Sequence, residues 1–85
     1  MLKLKYKFIN PAEIHDYAKH VSEFLENYTR HTFESCITND EMLLYIHNFH
    51  TSSDALHLVH TFNTICDNVH ISCILIEIHF VDNKL

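Results

Sequence analysis

His57 and His60 stand three residues apart in "ALHLVHTF", and a helix there would bring both imidazoles to one face, where they could chelate a single ion. Two ligands fall short of a site, since structural zinc takes four and catalytic zinc about three. The next donor along that stripe is Asp67, roughly 10 Å down the axis and out of reach. His47 and His50 share the spacing but would point to opposite faces of an extended segment. The nine histidines therefore read as surface imidazoles, and no metal or other cofactor is expected.

The three cysteines offer nucleophilic chemistry. Cys66 falls in the apolar stripe of a helical segment and reads as core. Cys73, Glu77 and His79 alternate along one strand, which gives a thiol, an acid and an imidazole on one face. A flat strand supplies no oxyanion hole for them. The fold deduced below puts Cys36 and Cys73 on the same open face but on opposite edges, about 14 Å apart at three strand spacings, too far for a disulfide. The chain contains no Gly. That removes the P-loop, the GxGxxG turn and the GxSxG elbow, each of which needs positive φ or close backbone approach. The chain is not expected to be an enzyme.

The elements that would position these residues follow from periodicity. "KLKYKF" at 3–8 alternates Lys3, Lys5 and Lys7 with Leu4, Tyr6 and Phe8, the mark of a strand over 2–9 with one buried face. Asn10-Pro11-Ala12-Glu13 opens a helix with a cap, a first-turn proline and a capping-box acid. Its apolar stripe runs Ile14, Tyr17, Ala18, Val21, Phe24, Leu25, Tyr28. Asn39-Asp40 separates two alternating runs and predicts a hairpin with strands at about 32–38 and 41–49. Thr51 and Asp54 form a second capping box. A second stripe follows through Ala55, Leu58, Val59, Phe62, Ile65, Cys66 and Val69, with Asn68 as the stop. Residues 70–81 predict the last strand.

Residues 1–85 thus read as a single domain of α+β class, in the ferredoxin-like β-α-β-β-α-β order, with two helices packed on one face of a four-stranded antiparallel sheet. Right-handed crossovers put the first and third strands in the middle. The rival is a three-stranded βαβαβ fold in which 32–38 continue the helix or form loop. In the four-stranded fold Leu4, Tyr6, Phe8, Ile37, Leu44, Ile46, Ile74, Ile76, Ile78 and Phe80 face the helices, and a charge at Ile76 would unfold the protein. The open face carries Lys3, Lys5, Lys7, Leu43, Tyr45, His47, Phe49, Leu75 and His79, with Cys73 and Glu77 beside them.

A face this apolar calls for a cover. One candidate is single-stranded RNA, with bases stacked on aromatics and lysines at phosphates. In element order and in the aromatics of its third strand the layout resembles an RRM. "MLLYIHNF" lacks the Lys/Arg-Gly start of that family's signature, and the first strand has Lys where the family has an aromatic. The other candidate is protein, which Leu43, Leu75 and Cys73 suit better. The chain is acidic, with a formal charge of −5, which speaks against general backbone binding to nucleic acid.

With no export signal, no membrane-spanning run and an odd number of cysteines, the reading is cytoplasmic. The lack of Gly, Trp and Gln with abundant Ile, Asn, Lys and His hints at an AT-rich genome such as a phage's. The expectation is a small non-enzymatic binding protein working by protein–protein contact and self-associating as a homodimer through the open face. A virus- or mobile-element-encoded inhibitor or regulator of a host factor, acting in the host cytoplasm, fits it. An RRM-like RNA-binding module is the alternative.

Overall fold

The computed structural model describes residues 1–28, 32–47 and 52–80. They form β1 (Leu2–Phe8), a 3-10 turn (Pro11–Glu13), α1 (Ile14–Tyr28), β2 (Phe33–Thr38), β3 (Glu41–Ile46), α2 (Ser52–Val69) and β4 (Cys73–Phe80). The strands make one sheet in the order β2-β3-β1-β4, antiparallel at every pairing. The α+β class holds, and residues 33–38 are strand, which removes the three-stranded rival.

One face of this sheet makes the core. Leu2, Leu4, Tyr6 and Phe8 of β1 and Met42, Leu44 and Ile46 of β3 are buried against Ile14, Tyr17, Val21 and Leu25 of α1 and Ala55, Leu58, Phe62 and Cys66 of α2. Complete burial of such side chains is worth about 1.5–3 kcal/mol each, and it fixes which way the alternating strands face. Tyr17 is the centre of an aromatic group, its ring 5.4 Å from those of both Tyr6 and Phe8. Phe24 meets Phe62 edge-on at 6.2 Å and joins the two helices.

The turns show how a glycine-free chain manages its ends. Asn10 caps the 3-10 turn, its side chain accepting from the Ala12 N–H at 3.1 Å. The proposed cap at Thr51 lies outside the described residues. Asn39 takes φ 54° in the β2–β3 turn, where its short amide tolerates the left-handed region. The end of α2 corrects the sequence reading. The stop is His70, at φ 58°, rather than Asn68. The Ile71 N–H bonds the Cys66 carbonyl at 3.0 Å and the His70 N–H bonds the Asp67 carbonyl at 3.4 Å, the paired bonds of a Schellman ending. A Cβ in that conformation is strained, so His70→Gly should raise stability by about 1 kcal/mol in urea unfolding. No gain would mean that the imidazole contributes as much as the strain costs.

β4 also departs from expectation. An unbroken alternation put Cys73 and Leu75 on the open face and Ile74 and Ile76 under the helices. Instead the pairing with β1 shifts between Lys5 and Tyr6: Glu77 lies opposite Lys5 but Leu75 opposite Tyr6, with Ile76 the extra residue of a bulge. Opposed residues of an antiparallel pair share a face. Leu75 and Cys73 therefore belong to the helix side, where they pack on the core, and Ile74 faces out at 57% exposure.

The two ends of the strand explain the bulge. Ile71, buried at the end of α2, sets residues 73 and 75 inward, whereas Glu77 and His79 must stay outward. Opposite phases at the two ends require one extra residue between them. Ile76, Ile78 and Phe80 remain 47%, 44% and 42% exposed, because β4 is an edge strand. Ile76 is not a core residue.

Candidate binding face

The face turned away from the helices is a grid fixed by strand register. Tyr45 lies between Glu34 of β2 and Lys3 of β1, and His79 lies beyond Lys3. In the next row Leu43 lies between Cys36 and Lys5, with Glu77 beyond. In the third, Glu41 lies between Thr38 and Lys7, with Ile74 at the edge. Lys3, Lys5, Lys7, Leu43, Tyr45 and His79 are thus brought together. His47 follows β3, half-buried, its N–H donating to the Thr32 carbonyl at 2.8 Å. Leu75 belongs to the other face, and Phe49 lies outside the described residues.

Each of the three β1 lysines has a carboxylate partner. Lys3 Nζ is 3.6 Å from Glu77, Lys5 Nζ 3.8 Å from Glu41, and Lys7 Nζ 3.9 Å from Asp40. His79 Nε2 reaches the same Glu77 oxygen at 3.1 Å. Such half-exposed pairs add little stability, typically about 0–1 kcal/mol. Their consequence is for the field over the face, where three lysines meet four carboxylates, Glu34, Asp40, Glu41 and Glu77. Sequence reasoning grouped Glu77 with the lysines but missed Asp40 and Glu41. The signal was the two-residue turn at Asn39-Asp40, which makes Thr38 and Glu41 the closing pair of the hairpin.

A second concentration of chemistry lies on the helix side, and sequence reasoning separated its members. Cys66 and Cys73 are free thiols with sulfurs 3.3 Å apart, so Cys73 does not share a face with Cys36 or His79. The contact with Cys73 holds the Cys66 thiol below its ordinary pKa, while the same contact, together with burial, pushes Cys73 up. The hydroxyls of Tyr6 and Tyr17 are buried nearby without an acceptor in hydrogen-bonding geometry, though close enough to influence each other's ionisation. Burial pushes both phenols well above their usual range and keeps them protonated. Cys66, the most ionisable of the group, is too covered to meet a substrate.

His57 and His60 are both exposed on α2, and among the described residues no three His, Cys, Asp or Glu side chains converge. No described helix is long and apolar enough to cross a membrane. No family model, curated protein or solved structure matches the chain.

Proposed function

We propose that this chain is a small non-enzymatic binding protein whose open sheet face docks against another protein. The observation that carries this reading is the pairing of Lys3, Lys5 and Lys7 with Glu77, Glu41 and Asp40. A phosphate backbone is bound by cations that release its counterions. Lysines already held by carboxylates, on a face with more acids than lysines, form a poor track for it. A neutralised grid around half-buried Tyr45 and Leu43 suits a protein surface, where an aromatic anchor supplies affinity and paired charges set register. The element order and the sheet order β2-β3-β1-β4 support a ferredoxin-like reading of the architecture. A virus-encoded regulator of a host factor, working in the cytoplasm, is the biological setting that size and composition suit.

Absorbance at 260 relative to 280 nm of the purified protein, together with quantitative capture from host extract on wild-type, Tyr45→Ala and Lys5→Glu baits, tests the reading. Tyr45→Ala should weaken capture about 10-fold or more, and Lys5→Glu much less, with no nucleic acid bound. Co-purifying nucleic acid that dissociates with rising salt, and is lost in Lys5→Glu, would replace this function with RNA binding.

A further inference from the structure

The outer edge of β4 borders this face, sharing Glu77 and His79 with it, and offers a row of backbone groups as well. β4 has eight residues, and among the described residues nothing pairs with its free side. Proteins usually blunt such an edge, because its unpaired backbone groups template another strand. The other edge strand is blunted: β2 has six residues and carries Glu34, Ser35 and Thr38. β4 instead exposes Ile76, Ile78 and Phe80.

The direction of its free backbone groups follows from two bonds. Phe8 donates to Asp40 on the β3 side at 2.8 Å, and Ile9 donates to Ser72 on the β4 side at 3.3 Å. Antiparallel alternation then assigns Lys3 and Lys5, with their partners His79 and Glu77, to the β1–β4 ladder. The N–H and C=O of Ile78 and Phe80 point to the open edge.

We propose that two copies of this chain pair antiparallel through β4, with the two-fold axis at Ile78, to form a continuous eight-stranded sheet with all four helices on one side. In that register Ile78 meets its own copy, Ile76 meets Phe80, and Glu77 meets His79 twice. Three observations select it. The bulge ends at Ile76, so the regular part of the described strand, residues 76–80, is centred on Ile78. The half-exposed apolar side chains are brought together on the helix side. Glu77 is placed against the partner's imidazole on the other side, where the charged groups around it are Lys3 and Lys5 of its own β1 and its own His79. Centring on Glu77 would oppose two carboxylates, and like charges directly opposite destabilise a sheet. A two-fold contact is self-complementary by construction, which is what this edge offers.

Light scattering and sedimentation at about 100 µM test the proposal. Wild type should be a dimer. Ile78→Lys, at a position exposed in the single chain, should raise the dissociation constant about 100-fold or more with an unchanged circular dichroism spectrum. His79→Glu and Glu77→Lys should each be monomeric, the first by opposing two acids and the second by setting an ammonium beside Lys3 and Lys5 and leaving the partner's imidazole without its carboxylate. Mixing these two variants should restore a dimer, since the carboxylate introduced at position 79 of one chain then meets the ammonium introduced at position 77 of the other. A monomeric wild type, a dimer indifferent to Ile78→Lys, or a mixture that stays monomeric overturns the proposal. Ile78 lies on the helix side, so its variant separates pairing through this edge from association through the Tyr45 face, which Glu77 and His79 border.

Discussion

Leu4→Asp should leave no folded protein, whereas Ile76→Asp should fold. Leu4 is fully buried and lies opposite Leu44 on one side and Ile78 on the other, beneath the helices. A carboxyl there has no hydrogen-bond partner, and its burial costs several kcal/mol even when it is protonated. The removed leucine adds its own transfer term, about 2–5 kcal/mol in truncation series. A domain of this size has a total stability of roughly 4–13 kcal/mol, so the sum exceeds or exhausts it. Ile76 is the bulged residue of an edge strand, and a charge there reaches water, at an expected cost of about 1 kcal/mol. Circular dichroism and urea unfolding of the two variants measure the contrast. An unfolded Ile76→Asp would mean that β4 pairs without its bulge and presents Ile76 to the core.

Tyr17→Ala should cost about 3–5 kcal/mol, at the upper end of what truncating one helix side chain removes. The ring is fully buried between Tyr6 and Phe8, so its loss opens a cavity under β1. Tyr17→Phe keeps the ring and removes a buried hydroxyl that has no acceptor in good geometry, so it should equal or exceed the wild type in stability. Urea midpoints of the three proteins decide it. A Phe variant weakened by more than about 1 kcal/mol would show that the hydroxyl is bonded in solution, with Cys66 a candidate partner.

The sheet and its covered face were legible where polar and apolar residues alternate strictly. β1 has Lys at every outward position, so it admits only one facing; β3 is apolar in both phases over residues 42–46, and the Asn39-Asp40 turn fixes it by setting Glu41 opposite Thr38. β4 was illegible for the opposite reason. "ISCILIEIHF" is apolar in both phases, and the choice between them was made by distant partners: Ile71 at the end of α2 and the lysines beside Glu77. The error carried Leu75 and Cys73 to the wrong face and hid the thiol pair. His70 was missed because Asn68, a better left-handed residue, stands two positions earlier. The ion pairs required diagonal neighbours, which depend on register and not on the residues of any one strand.

The three lysines have a further role in assembly. A slip of β1 by one residue would drive Lys3, Lys5 and Lys7 beneath the helices at several kcal/mol each, so wrong alignments of the central strand are expelled before they can be trapped. In β4 such a penalty guards only the second half, where Glu77 and His79 must stay outward; over residues 73–76 a slip by one exchanges Ile74 or Ile76 for Cys73 or Leu75, all of them apolar. The sheet therefore tolerates its single misalignment at its rim, where one surplus residue reconciles two ends that disagree. Alignment errors during folding should concentrate in that last strand, while the centre of the sheet forms with only one register open to it.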